Sequence, residues 1–140
     1  MRKIVVIMIT GLLLFTLAAC SGAKEKTAFD LIRESPAAKL ELPDGKSAYV
    51  DGEIALLRSF ADLQLRESTL EPADEEGDWL YRIVFNPAEK VKGLEEIAVS
   101  FHRDYVQIGE EFYLGEEGVA YDSILDWTKS KFDYFADYLQ

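Results

Sequence analysis

The 140-residue chain has a single cysteine, Cys20, and a single histidine, His102. One cysteine excludes an intramolecular disulfide, and one histidine with one cysteine leaves no set of soft ligands for a zinc centre. Hydrolytic triads need a base beside a nucleophile, and no Gly-x-Ser-x-Gly or second cysteine accompanies His102. His102 falls in the predicted turn His102-Arg103-Asp104, where it is expected to be solvated. Positive charge is scarce as well, at 15 Lys and Arg against 26 Asp and Glu, for a net −11. Such a field disfavours nucleic acid and anionic surfaces and favours cationic partners, although plain solubility and repulsion from a negative membrane are the simpler account of it.

Carboxylates are the one abundant resource. Asp74-Glu75-Glu76-Gly77-Asp78, Glu110-Glu111 and Glu116-Glu117 offer hard oxygen ligands, yet the alternating acids and distal Glu of an EF-hand are missing. The loop Gly115-Glu116-Glu117-Gly118 puts acids where a phosphate would sit. No catalytic, cofactor-binding or metal-ligating residue is assigned on these grounds. A pair of glycosidase carboxylates, distant in sequence, has no local signature to find.

What the chain does have is a distinctive start. Arg2 and Lys3 precede an uncharged apolar run, residues 4–19, which closes on Leu17-Ala18-Ala19-Cys20. Sixteen residues with Gly11 inside them fall short of the ~20 needed to span a bilayer. Basic start, apolar run and small-residue end together read as an export signal. Leu17-Ala18-Ala19-Cys20 resembles the lipobox of bacterial lipoproteins. That resemblance implies a diacylglyceryl group on Cys20, cleavage before it, and residence on the outer face of the cytoplasmic membrane, or in the outer membrane of a double-membraned cell. Ser21 lacks the Asp that resembles an inner-membrane retention signal. Acylation would also account for an otherwise odd exported thiol, since each buried CH₂ contributes about 0.8 kcal/mol to anchoring.

The expected organisation is a signal peptide at 1–19, a lipidated cysteine with a short polar tether at 20–27, and one domain at 28–140. Without the leader, 13 basic and 26 acidic side chains give −13. Two Trp, seven Tyr and seven Phe remain, an aromatic content that argues against disorder.

Periodicity within the domain predicts an α+β fold. Phe29 and Ile32 suggest a turn or two of helix before Pro36. Alternation at residues 39–42 and 47–50 around Pro43-Asp44-Gly45 predicts a hairpin. Ile54, Leu56, Leu57, Phe60, Ala61, Leu63 and Leu65 share one helical face, predicting a helix over about 53–65 capped by Asp51. Residues 79–85 alternate with Trp79, Tyr81, Ile83 and Phe85 on one side. Strands at 96–101, 105–108 and 112–114 follow as a meander. A final helix starts near Ser123, with Ser123 and Asp126 spaced as a capping-box variant. The expected product is a twisted antiparallel sheet of about five short strands, with the inserted helix and the C-terminal helix packed on the same face. This order, marked by Pro43-Asp44-Gly45, residues 79–85, the meander and the closing helix, loosely resembles small uncharacterised lipoproteins of Gram-positive bacteria. The markers are generic and carry no functional residue with them.

On the last helix Trp127, Tyr134 and Tyr138 form a stripe beside the core arc, widening the apolar face to about 200° where roughly 100° suffices. The stripe either seals the sheet edge or forms an interface. The leading expectation is a lipid-anchored binding module that takes a protein or cationic peptide through Trp127, Tyr134, Tyr138 and nearby acids. A small envelope enzyme or a calcium-dependent protein built on dispersed carboxylates is the alternative, and an accessory subunit of a membrane complex a third.

Overall fold

The computed structural model describes residues 25–68 and 78–140. The leader, Cys20 and its polar tether through residue 24 lie outside the described residues, as do residues 69–77 of the acidic stretch.

Thr27 starts the first helix, α1 (Ala28–Glu34), with a reciprocal capping box. Its hydroxyl accepts from the Asp30 amide at 3.2 Å, and the Asp30 carboxylate accepts from the Thr27 amide at 3.1 Å. The helix stops one residue before Pro36, whose ring disfavours helical backbone at Ser35. Strands β1 (Ala38–Glu41) and β2 (Ser47–Val50) then form the expected hairpin. Gly45 takes φ +91° at its tip, and the Asp44 side chain accepts from the Lys46 amide.

The segment after β2 departs from expectation. Helix α2 (Ile54–Arg58) makes little more than a turn, tightens into a 3-10 turn over Ser59–Asp62, and gives way to a strand, β3 (Leu65–Ser68). Asp51 does not cap it: Glu53 holds the cap position, with no side-chain bond to the helix. Leu65 belongs to the strand because pairing with Gly115 satisfies backbone groups that a fraying helix end would leave open.

Strands β4 (Tyr81–Phe85), β5 (Ile97–Phe101), β6 (Val106–Ile108) and β7 (Glu111–Gly115) make the meander. The whole is one seven-stranded antiparallel sheet in the order β2-β1-β4-β5-β6-β7-β3. The fold class is α+β, and β3 on the far edge is a strand that periodicity does not predict, only its first residue, Leu65, falling within the expected helix. Trp79 precedes β4 and lies under the guanidinium of Arg82, 4.2 Å from its ring, so it does not share the face of Tyr81, Ile83 and Phe85.

The last helix, α3 (Tyr121–Tyr134), begins before Ser123, and its cap residue is Ala120, so no Ser123 capping box forms. A 3-10 turn over Ala136–Tyr138 follows. Ile54, Leu57 and Phe60 join Ile124, Phe132 and Phe135 over Leu40, Ile83, Phe85, Val99, Phe101 and Val106, all buried on one face of the sheet. The helices therefore pack on the same side, as their apolar arcs require. Asn86 knits this layer to the loops. It is 1 % exposed with φ +52°, accepts from Ser35 Oγ at 2.7 Å, and donates to the Glu95 carbonyl at 3.0 Å. The opposite face carries Lys39, Glu41, Arg82, Ser100 and Gln107, and no described helix covers it.

Candidate functional site: an aromatic and acidic cleft at the end of β2

The hollows of the described surface include two lined by aromatic and charged side chains. The larger, about 230 Å³, is lined by Tyr49, Val50, Asp51, Gly52, Glu53, Phe135 and Tyr138. One wall is the chain leaving β2, where the turn Asp51-Gly52 lifts two carboxylates off the end of the sheet before α2 begins. The other wall is the end of α3. There Phe135 is buried, with Tyr134 edge-on to it at 4.9 Å and Tyr138 at 6.3 Å. Burying Phe135 fixes the two tyrosines around it, and they remain 55 % and 66 % exposed. The Glu53 carboxylate, close to the Tyr134 hydroxyl, raises the Tyr134 pKa and brings the acidic wall beside the aromatic one.

The cleft's charge is one-sided. Among the described residues no Lys or Arg forms an ion pair with Asp51 or Glu53. By contrast, carboxylates on the open sheet face are matched. Lys39 lies 2.9 Å from Glu41 and 3.1 Å from Glu89, and Arg82 lies 3.7 Å from Glu41. The Tyr49 hydroxyl donates to Glu89 at 2.7 Å, and that bond, the local backbone amide and Lys39 pull the Glu89 carboxyl down to about 2. Hydrogen bonds to Glu41 and Glu89 in turn raise the pKa of Lys39. Lys90 stands 4.8 Å from the centre of the Tyr49 ring.

The second hollow, about 180 Å³, lies on the open sheet face among Trp79, Arg82, Ser100, His102 and Gln107. Its cation is already engaged. Arg82 stacks on Trp79, donates through Nε to Ser100 Oγ at 3.0 Å, and faces Glu41. His102 is not the solvated turn residue expected from sequence. It is 2 % exposed, with its ring stacked at 4.2 Å on Tyr105. The turn itself is present, closed by the His102 amide on the Tyr105 carbonyl, and the Tyr121 hydroxyl reaches both carbonyls at 2.9 and 2.6 Å. Burial raises the Tyr121 pKa, which keeps that hydroxyl a donor.

Of the three aromatic residues picked from sequence, the structure brings two together. Tyr134 and Tyr138 flank the cleft, whereas Trp127 is half-buried, packs on Phe60 and Phe101 at 6.1 and 6.3 Å, and belongs to the core. Cys20 lies outside the described residues. Periodicity alone does not point to Asp51, Glu53 and Phe135 as site residues. The Asp-Gly pair after an alternating strand was the available signal, since it marks a turn that projects its acids away from the sheet.

Among the described residues the carboxyl groups with displaced pKa values, Glu89 and Glu111, line neither hollow. Among the described residues no group of three or more His, Cys, Asp or Glu is placed to hold a metal ion, and no helix is long and apolar enough to cross a membrane. No protein-family model matches this chain, and neither a curated protein nor a solved structure matches it.

Proposed function

We propose that this chain is a membrane-anchored extracytoplasmic lipoprotein that acts as a binding module for a protein or peptide carrying basic side chains. The anchor is the acyl group expected on Cys20, and the binding surface is the cleft of Asp51, Glu53, Phe135 and Tyr138 with Tyr134 at its rim. One observation carries the reading: two exposed tyrosines stand over a buried phenylalanine beside carboxylates that no described basic residue neutralises. Tyrosines with an apolar body and a polar tip suit such a contact, and the net charge of −13 left without the leader draws cations toward it. A cavity of about 230 Å³ lies below the ~300 Å³ at which pockets begin to enclose small-molecule ligands, which favours a protruding side chain over an enclosed substrate.

Two measurements test this. Cys20→Ala should move the chain from the membrane fraction to the soluble or precursor pool and abolish fatty-acid labelling. A photoreactive phenylalanine analogue placed at Tyr138 in cells should give a discrete adduct that polylysine competes away. The same analogue at Gln107, on the open sheet face, should not give it. Equal adducts at both positions, or none at Tyr138, would overturn the binding reading.

A further inference from the structure

The cleft lies along a sheet edge, and the hydrogen-bond pattern of that edge is legible from the hairpin. The Leu42 amide donates to the Lys46 carbonyl at 2.9 Å, so Leu42 and Lys46 form a hydrogen-bonded pair. Hydrogen-bonded and non-hydrogen-bonded pairs alternate along antiparallel strands. The register Glu41↔Ser47, Leu40↔Ala48, Lys39↔Tyr49 therefore turns the amides and carbonyls of Ser47 and Tyr49 away from β1, toward the free edge. Ser47 bears this out. Its amide donates to the Gln140 carbonyl and the Gln140 amide donates back, both at 3.1 Å, the reciprocal bonds of an antiparallel bridge. The edge thus accepts an extended segment at Ser47. Two residues on, the matching amide and carbonyl of Tyr49 make no hydrogen bond to any described residue, and there the chain 136–138 turns away and the cleft opens.

We propose that an extended segment of the partner pairs antiparallel with Tyr49 on this edge and sets one lysine or arginine side chain into the cleft. The inference rests on the binding reading above and names its chemistry. Register assigns the side chain. A partner residue opposite Tyr49 shares the open face with the Tyr49 ring, where Lys39 and Lys90 already stand. That position therefore suits an uncharged residue. The residue immediately before it in the partner lies opposite Val50, on the helix side of the sheet, beside Phe135, Tyr138, Asp51 and Glu53. A basic side chain there meets two carboxylates and the exposed Tyr138 ring, and a cation over a tyrosine face is attracted by its quadrupole. Backbone pairing supplies affinity and the single pocket supplies selectivity, the division of labour of strand addition.

The test titrates the full chain, uniformly labelled with nitrogen-15 in micelles of a neutral maltoside detergent, with the acetylated and amidated peptide Thr-Thr-Val-Lys-Val, which ends opposite Tyr49 because the Ser47–Gln140 bridge already places Leu139 beside Ala48. The amides of Tyr49 and Asp51 should shift, and the Tyr49 amide should become protected from solvent exchange. Replacing the peptide's lysine by norleucine, or methylating the nitrogen of the valine that follows it, should each weaken binding about tenfold or more. Asp51→Asn with Glu53→Gln should weaken the lysine peptide by a similar factor and leave the norleucine peptide unchanged. Equal affinity for lysine and norleucine peptides would overturn the proposal. So would shifts confined to Arg82 and Gln107, or no response of Tyr49 at millimolar peptide. A cellular adduct at Tyr138 without any peptide response would sink the edge chemistry alone. Peptide binding with no cellular adduct would sink the functional reading and leave the edge chemistry standing.

Discussion

Trp127→Ala separates fold from binding. The indole is mostly buried and sits against Phe60 and Phe101, with the Lys131 ammonium 5.6 Å from its centre. A buried tryptophan removes up to roughly 150–250 Å² from water, which at ~25 cal/mol per Å² is about 4–6 kcal/mol for complete burial. Trp127 keeps some exposure, and part of the void would collapse, so about 3–4 kcal/mol is expected, within the range for buried aromatic-to-alanine changes. A domain of this size is stable by only about 5–15 kcal/mol. The variant should therefore lose a large share of its stability, with a fall in Tm on the order of 15–25 °C. Tyr138→Ser is the matched control, because a side chain 66 % exposed should change stability by less than about 0.5 kcal/mol. Urea unfolding followed by circular dichroism reads both. A Trp127→Ala midpoint indistinguishable from the parent's, or a larger loss in Tyr138→Ser, would refute the assignment of Trp127 to the core. Loss of binding in Trp127→Ala alone would consequently say nothing about an interface.

Asn86→Ala removes an acceptor from Ser35 and a donor to Glu95, and forces alanine to hold φ +52°. At ~1 kcal/mol for each bond and ~1 for the backbone, it should cost about 3 kcal/mol in urea melts, and Asn86→Gly somewhat less. Gly115→Ala places a Cβ 2.7 Å from the Val119 carbonyl oxygen, so it should lose about 1–3 kcal/mol in the same assay despite alanine's stiffer unfolded chain. Glu111 lies diagonal to Glu67 on the paired strands β7 and β3, and hydrogen bonding and like charge from Glu67 raise its pKa. The folded state then binds the proton more tightly than the unfolded one. This contribution is favourable below the raised pKa and disappears as pH rises through it. Glu67→Gln should accordingly raise Tm at pH 7 and leave it little changed at pH 4; equal effects at both would refute the coupling. Glu89 runs the other way, its stabilisation present at neutral pH and lost as pH falls from ~4.5 toward about 2, so Tyr49→Phe should flatten the acid limb of the stability profile.

The class of fold was legible because its main signals are local. Alternation at Tyr81, Ile83 and Phe85, Pro43-Asp44-Gly45 between two extended runs, and the long final arc each determine an element without knowledge of its neighbours. The misreadings fall where a neighbour decides. Leu65 fits a helical face as well as a strand, and the free edge of β7 tips the balance toward a strand. Trp79 continues the alternation of β4 in sequence, but it stops two residues short of the ladder, and the Arg82 guanidinium draws it to the other face. His102 sits in a real turn that the Tyr121 hydroxyl pins against the body of the protein, so a position normally solvated is buried.

The site was half legible for a related reason. Trp127 and Tyr134 stand seven residues apart on α3, nearly two whole turns, so a helical wheel places them on one stripe. They nevertheless have opposite fates, because angle around a helix says which way a residue points and not what lies beneath it along the axis. Below Trp127 the axis passes over Phe60 and Phe101, and the stripe is core. Near Tyr134 it comes to the end of β2, and the same stripe looks out over Glu53. Where α3 ends, the chain tightens, so Tyr138 comes round beside Phe135. A contact surface arises because the helix ends where β2 ends, and that coincidence is set by the lengths of two elements more than seventy residues apart. The carboxylates that give it a charge arrive with the second of them, which is why no pattern within α3 could have named Asp51 and Glu53.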